Sequence, residues 1–480
     1  MNLYLLSPEI SLCALALVVI LLDLFIGRKW ILGVVSVAGL IVPAAFTLAL
    51  WGVNETSFNG ALVVDPFSLF FKLFFLVIAA LVLLSSTDYA HKFAGFRGEY
   101  YALVLLSAMG MMLMASTREL ISIYIALELT SISLYALTGF LKDPKSSEAG
   151  LKYLLLGAVA SAVLLYGMAM VFGLSGTTHL NEIAASIPAG GLLASPALLM
   201  GIVLLVAGFG FKIATVPFQM WVPDVYEGAP TPITAYLSVA SKAAGFAVIL
   251  RVFYEALGPL SLDWGIIFAV LAAITMTLGN VVAIAQTNIK RMLAYSSIAH
   301  AGYLMMGLAA VSALDPGTLG PSGPSALVFF LASYALTNLG AFIAIIAVSN
   351  KIDSDEIADY SGMARRAPLL ALALALCLIS LIGIPPTAGF VAKIYIFTAA
   401  VDYGLIWLVI IAVINAVISA YYYLRVVRVM YLGTPLSEER VPSSWALRAA
   451  LSFACLGVLF LGVYPWALLR IAETAVSIFP

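Results

Sequence analysis

Apolar stretches of roughly 20 residues recur along the whole chain, and only short polar breaks separate them. A helix of this length crosses the hydrocarbon core of a bilayer and satisfies its own backbone hydrogen bonds. Charged residues make up only 10% of the chain and the mean hydropathy is +1.10, values that exclude a water-soluble fold. The sequence therefore predicts an all-α polytopic membrane protein.

We predict about 14 transmembrane helices, numbered in chain order, near residues 3–26, 30–51, 67–86, 99–116, 119–140, 149–173, 196–216, 231–254, 264–285, 290–311, 324–349, 368–399, 404–431 and 444–468. The connections are too short to hold a soluble domain. We expect one membrane domain over residues 1–480, with helices 1–3 in 1–98, helices 4–8 in 99–254, helices 9–13 in 264–431 and helix 14 in 444–480.

Lysine and arginine follow the odd-numbered helices, and only Arg118 and Arg251 follow even-numbered ones. Because positively charged loops remain cytoplasmic, both termini are predicted on the outer side of the membrane. A net charge of -1 gives no basic surface for nucleic acid. The three cysteines stand singly in apolar runs, so neither a metal site nor an iron-sulfur site is predicted on this chain.

A few charged residues lie inside the predicted spans, where each costs about 2.5 to 3.5 kcal/mol near a helix centre. Such residues normally face a protein interior or a hydrated cavity and carry function. The set comprises Lys72, Glu128, Lys152, Lys212, Lys242, His300 and Lys393.

Five members of this set are the candidate proton-carrying residues. Glu128 lies near the middle of helix 5, too deep for a short carboxylate to reach the surface. Lys212 precedes a proline break, Lys242 is central in helix 8, and Lys393 follows a second proline break. His300 is either a core histidine or a relay, since its reference pKa is near neutral.

The remaining charges have simpler interpretations. Lys152 follows Glu148 at i,i+4 spacing, so a surface ion pair and a functional role are both open. Lys72 is expected to extend toward the surface, and Glu9 is expected to reach interfacial water.

Helices 7 and 12 are both interrupted by proline and glycine, and both carry a lysine. Five helices separate them, and the same offset relates Glu128 to His300. An odd offset implies opposite orientation in the membrane, so we predict two inverted five-helix repeats, as in transporters with sites near the midplane.

A family resemblance appears in the run FKIATVPFQMWVPDVYEGAPTPITAYLSVASK followed by NIKRMLAYSSIAHAGY. These segments resemble the proton-translocating, antiporter-like membrane subunits of respiratory complex I, and the resemblance covers nearly the entire chain. The largest such subunit has an extra long lateral helix after its core, and this chain does not resemble that subunit. The middle one typically has glutamate at the position of Lys393, whereas His300 and Lys393 together fit the third.

The resemblance implies a charge pair of Glu128 and Lys212, a connecting role for Lys242, and a path from His300 to an exit at Lys393, with Lys152 more peripheral. It implies that FMN, iron-sulfur clusters and quinone are bound by partner subunits and none by this chain. The implied partners are other membrane-arm subunits, including a sibling antiporter-like subunit, and the lipid bilayer.

The predicted mechanism is proton pumping driven by NADH oxidation and quinone reduction elsewhere in the complex. Water chains would load Lys242 or Lys393 from the cytoplasmic side and discharge outward through the Lys393 half. Three alternatives remain open: a subunit of an Mrp-type cation/proton antiporter, a purely structural membrane-arm subunit, and a related complex with another electron donor.

Overall fold

The computed structural model describes residues 2–93, 95–187, 195–311, 322–435, 437 and 439–479. Its long helices keep the predicted numbering and span Ser7–Phe25, Trp30–Gly39 continued by Ile41–Ala49, Pro66–Ser86, Arg97–Ser116, Leu120–Thr138, Pro144–Ser175, Pro196–Ile213 (7a) with Val222–Gly228 (7b), Thr231–Ala256, Ser261–Ile284, Ile289–Ala309, Gly323–Ile352, Pro368–Ile382 (12a) with Ala388–Asp402 (12b), Ile406–Leu432 and Trp445–Val463. Shorter elements include a β-hairpin, Glu55–Ser57 with Leu62–Val64, and the helices Leu180–Ser186 and Trp466–Val476.

Twelve of these helices are long and apolar enough to cross a membrane. Helix 10 and the broken helix 12 occupy the other two positions that the sequence predicted. The all-α polytopic fold is therefore confirmed. The inverted relation of the two halves and their boundaries stay predictions.

Polar caps define where several helices begin. Asp65 accepts a hydrogen bond from the backbone N–H of Ser68, whose hydroxyl bonds back, and this capping box opens helix 3. Asp143 caps helix 6 and Asn288 caps helix 10, each with one side-chain oxygen that accepts a hydrogen bond from a backbone N–H of the first turn. These caps fix the helix register that places the buried charges.

Both predicted interruptions are present. Helix 7a ends at Ile213, and Ala214 takes the left-handed conformation with φ of 63°. Helix 12a ends at Ile382, and Gly383 takes the same conformation with φ of 91°. The predicted interruption within 368–399 arises because the prolines that follow Gly383 cannot continue a helical hydrogen-bond ladder, and a new helix begins at Ala388.

Helices 8 and 11 form the centre of the bundle. The most apolar stretch of helix 8 is fully buried inside the bundle, and the most apolar stretch of helix 11 is almost fully buried. Helices 1, 2, 6, 13 and 14 bury only about a third of theirs. The outer helices therefore present apolar side chains to their surroundings, as lipid-facing helices do.

The prediction for Lys72 and Glu9 was wrong. The Lys72 Nζ atom lies 2.9 Å from Glu9 Oε1, and both side chains are buried. Neither reaches interfacial water, because the pair joins helices 3 and 1 inside the bundle, where each charge compensates the other.

The two arginines that break the loop-charge pattern belong to one cluster. Arg251 lies 2.8 Å from Asp65 and 2.6 Å from Glu255, and Arg118 lies 2.8 Å from Glu255. Burial acts to raise the pKa of Asp65, but the Arg251 guanidinium outweighs it and holds that pKa below its usual value. Both exceptional cations are thus neutralised by carboxylates within the protein.

Helix 14 ends at Val463, short of the predicted boundary at 468, and a further helix, Trp466–Val476, follows Pro465. We call this short segment the lateral helix; it is distinct from the long lateral helix of the largest family member. Glu473 accepts a hydrogen bond from Tyr395 of helix 12b at 2.9 Å, and Phe479, just beyond the helix, packs edge-to-face against Phe67 of helix 3. The lateral helix therefore links the first three helices to the second half of the chain.

Candidate functional site

Lys212 lines a cavity between helices 5, 6 and 7a, and Glu128 bonds to one of the serines that line the same cavity. Lys212 is buried in the last turn of helix 7a and donates a hydrogen bond to Ser131 Oγ at 2.9 Å. Ser131 lies one turn after Glu128 on helix 5, and Glu128 accepts a hydrogen bond from Ser161 of helix 6. Ser131, Ser161 and Lys212 all line the cavity.

Among the residues that the structure describes, Glu128 and Lys212 form no direct ion pair, and each is held by a serine instead. The two residues of the predicted charge pair are therefore neighbours of opposite charge, and each has its own hydrogen-bond partner. Such an arrangement leaves both side chains free to change partner without breaking a salt bridge.

Helix 8 approaches Lys212 closely because Gly245 has no side chain. A Cβ atom at this position would lie 3.3 Å from Lys212 Cγ and 2.7 Å from Ile213 Cγ2. Gly245 is one turn after Lys242, so the two lysines lie on adjoining faces of helices 7a and 8. The sequence placed both lysines in spans, but the contact depends on a glycine that it did not single out.

Lys242 is buried at the centre of the bundle. It follows a π-helical segment, Leu237–Ser241, a local widening that often occurs at functional sites. Its ammonium group donates to the Ser297 carbonyl at 2.5 Å and to the Ser297 hydroxyl at 2.8 Å. Both acceptors belong to helix 10, one turn before His300.

His300 lies in an aromatic pocket made by Tyr303, Phe330 and Tyr334, with ring centroids 5.0 to 5.9 Å away. Its Nε2 atom is 3.5 Å from the hydroxyl of Tyr423, and its Nδ1 atom has no protein partner among the described residues. A buried imidazole nitrogen without a protein partner is a typical site for a bound water.

Lys393 lies across the interruption of helix 12. It projects from helix 12b, and its ammonium group donates to the carbonyls of Leu381 and Ile382 at 3.0 and 2.7 Å. These are the last carbonyls of helix 12a, where the helix dipole favours a cation. The ammonium group also stands 4.9 Å from the ring centroid of Tyr303, which therefore lies beside both His300 and Lys393.

Tyr423 of helix 13 is a functional candidate that the sequence analysis missed. Its hydroxyl bonds to the Ser296 hydroxyl and also faces His300, so it connects the helix 10 serines to the histidine. A tyrosine in an apolar stretch gives no charge signal, and only the packing of helix 13 on helices 9 and 10 reveals it.

Other buried hydroxyls flank this row and, within the described part of the chain, make no hydrogen bond of ordinary geometry, although Tyr153 neighbours Ser241 and both Tyr226 and Tyr334 neighbour Ser297. These flanking hydroxyls belong to Tyr153, Tyr226, Ser241, Ser333 and Tyr334. Buried polar groups normally bind protein or ordered water, so this row has the lining of a hydrated path. Among the serines of helices 5 and 10, Ser131, Ser296 and Ser297 contact the row, whereas Ser133 bonds only within its own helix.

Lys152 lies apart from this row, half exposed at an end of the bundle. It pairs with Glu148 at 2.8 Å and with Asp224 of helix 7b at 2.7 Å. Asp224 also pairs with Arg291 at 2.7 Å, so the network joins helices 6, 7b and 10. The structure does not bring Lys152 together with the other five candidates.

A family model described as "NADH:quinone oxidoreductase/Mrp antiporter, TM" matches residues 117–419. The chain therefore belongs to this family of membrane proteins. Within the family, a relative from Dehalococcoides mccartyi named NADH-quinone oxidoreductase subunit N is 49% identical over 98% of both chains. A similarly named relative from Moorella thermoacetica is 47% identical over 100% of this chain and 99% of its own length. These relatives place the chain in the subunit N group, the third branch favoured by the sequence.

Two solved structures share the fold of this chain. A chain of respiratory complex I from Thermus thermophilus with bound aureothin is 34% identical, with a TM-score of 0.80, over 96% of this chain and 98% of that one. A chain of the Mrp complex from Dietzia sp. DQ12-45-1b has a TM-score of 0.85 at 21% identity, over 100% and 98% of the two chains. The second similarity concerns the fold alone.

Proposed function

We propose that this chain is the proton-translocating membrane subunit of an NADH:quinone oxidoreductase. The observation that carries the proposal is the row of four buried bases inside a membrane bundle, Lys212, Lys242, His300 and Lys393. Hydroxyl groups lie between Lys242 and His300. The relatives named subunit N supply the coupled reaction, electron transfer from NADH to quinone.

The row supports proton transfer because each base has a neighbouring donor or acceptor. Lys242 contacts Ser297, Ser296 contacts Tyr423, and Tyr423 faces His300. The remaining gaps, including the one past Tyr303 to Lys393, are lined by buried polar atoms that water would join. The 3.5 Å separation of Tyr423 and His300 is long for a hydrogen bond, so transfer there requires a small movement or one water.

Glu128 would set the direction. A neighbouring carboxylate favours the charged form of a lysine, and desolvation favours the neutral form. Glu128 and Lys212 are held by different serines, so a shift of helix 5, 6 or 7a changes their separation. Such a shift would move positive charge toward or away from Lys242, which lies one helix further along.

In this account the chain acts as a translocase subunit and carries no redox centre. FMN, iron-sulfur clusters and quinone are bound by partner subunits, and the neighbours in the membrane are other membrane-arm subunits, including an antiporter-like sibling. Both termini lie on the outer side of the bacterial inner membrane, protons enter from the cytoplasm, and Lys393 is the outward exit.

Tyr423→Phe tests the connection that the structure added. The substitution keeps the ring and removes the hydroxyl between Ser296 and His300, so NADH-driven proton uptake by vesicles carrying the assembled complex should fall severalfold. Tyr421→Phe changes an exposed tyrosine on the same helix and is the matched control. Unchanged uptake in Tyr423→Phe would remove Tyr423 from the path. Sodium-driven exchange without any response to NADH would instead favour the Mrp-type function.

A further inference from the structure

A groove of about 210 Å³ opens where the lateral helix meets the first residues of helix 3. Trp51 and Phe70 form one wall, and Arg470, Ile471 and Thr474 of the lateral helix form the other. Trp51 and Ile471 are 51% and 40% exposed, so apolar surface remains open there. This groove takes no part in the buried row.

The lateral helix is built to lie along a membrane surface. Leu469, Ala472 and Ala475 are buried against the bundle, whereas Trp466 and Arg470 are exposed. Tryptophan next to apolar and cationic side chains is characteristic of the interfacial region of a bilayer. Trp51, which follows helix 2, adds a second exposed indole at the groove itself.

Arg470 differs from the other arginines at this end of the bundle. Arg118 and Arg251 are neutralised by Asp65 and Glu255. Among the described residues Arg470 makes no ion pair, and the adjacent acid of its own helix, Glu473, accepts a hydrogen bond from Tyr395 instead. An arginine fork without a carboxylate, placed over an apolar wall, is complementary to a phosphate that carries hydrocarbon.

We propose that this groove binds an anionic phospholipid, with the phosphate at Arg470 and an acyl chain against Trp51, Phe70 and Ile471. The occupant is a lipid because the groove combines one cation with an apolar wall at the edge of a membrane span. The Thr474 hydroxyl bonds to the Arg470 carbonyl and holds the arginine turn in place. The lateral helix joins helices 12b and 3, so the lipid would stabilise this connection between the two parts of the chain.

The test uses the intact complex in nanodiscs of phosphatidylglycerol and phosphatidylcholine. After transfer to detergent, native mass spectrometry counts the phosphatidylglycerol molecules retained on the complex or on this subunit. Arg470→Gln should reduce occupancy of one site by about tenfold, and Arg470→Lys should retain intermediate occupancy because it keeps the charge without the fork. Arg448→Gln, at an exposed arginine of helix 14, should change nothing at this site.

Equal retention by Arg470→Gln and the parent would overturn the proposal. Loss of a neighbouring subunit from Arg470→Gln, with lipid counts unchanged, would show that a protein carboxylate occupies the groove and would also overturn it. If Arg470→Gln does not assemble, Arg470→Lys and Trp51→Ala decide the matter, since both must lower retention of phosphatidylglycerol relative to phosphatidylcholine. Activity of the complex does not enter this readout.

Discussion

Helices 7 and 12 are both interrupted, and each places a buried lysine beside its interruption, yet the two lysines are held differently. Lys212 belongs to the half-helix before the break and donates to a side chain, Ser131, with the Glu128 carboxylate one turn away. Lys393 belongs to the half-helix after the break and donates to two backbone carbonyls of the preceding half. Similar interruptions thus produce two kinds of cation site.

The difference has a physical consequence. A serine hydroxyl and a carboxylate can rotate or move with their helices, so the charge environment of Lys212 is adjustable. The carbonyls of Leu381 and Ile382 are fixed by helix 12a, and the helix dipole points its negative end at Lys393. The first site is suited to switching and the second to a constant role, as an exit would require.

The largest effect is expected from Lys393→Met. This substitution leaves two buried helix-end carbonyls without a donor and removes the only base placed across the helix 12 break in the described chain. NADH-driven proton uptake by the assembled complex in vesicles should fall by about tenfold or more. Lys393→Arg, which keeps a cation, should retain more uptake, and parent-like pumping by Lys393→Met would contradict a functional site there.

Glu128→Gln should have the next largest effect. The amide can still accept a hydrogen bond from Ser161, but the charge near Lys212 is lost, so uptake should fall roughly three- to tenfold. Ser161→Ala keeps the carboxylate and should cost less in the same assay. If both variants lose equal activity, Glu128 acts as a hydrogen-bond acceptor only, and the contrast with helix 12 disappears.

The residues that follow helices 12a and 7a, Gly383 and Ala214, both have a left-handed backbone conformation, but only one of them is glycine. Gly383→Ala should destabilise the complex by about 1 to 3 kcal/mol, because φ is 91° and the new Cβ atom would lie 2.9 Å from Lys393 Cδ. Ala214→Gly should be neutral or stabilising by up to about 1 kcal/mol, since alanine already occupies a left-handed position there. Thermal unfolding of the purified complex measures both, and destabilisation by each substitution would contradict this assignment.

The smallest effect is expected from a substitution in the ion-pair network of Lys152 and Asp224 at helix 7b. Lys152 is half exposed, so Lys152→Ala should cost less than about 1 kcal/mol of stability and leave proton uptake within about twofold of the parent. Thermal unfolding and the vesicle assay together check this expectation. A loss of uptake comparable to that of Lys393→Met would move Lys152 from the periphery into the proton path.

The sequence predicted the fold, and it singled out five candidate residues because charges are costly in a membrane and therefore conspicuous. It could not predict the contact of Tyr423 with His300, which depends on which helices pack together, nor the Glu9 partner of Lys72, which lies two helices away in the chain. The lateral helix was missed because a short amphipathic segment lacks the long apolar run that identifies a span. Long-range packing, rather than local composition, decides each of these features.

The most direct test of the account is Lys242→Met in the fully assembled complex, with proton uptake and quinone reduction measured together in NADH-energised vesicles. Lys242 is central to the row, and Lys351→Ala, which changes an exposed lysine paired with Glu439, is the control. Proton uptake should fall severalfold or more in Lys242→Met and should not change in the control. Uptake equal to that of the parent in both variants would show that Lys242 is not on the proton path.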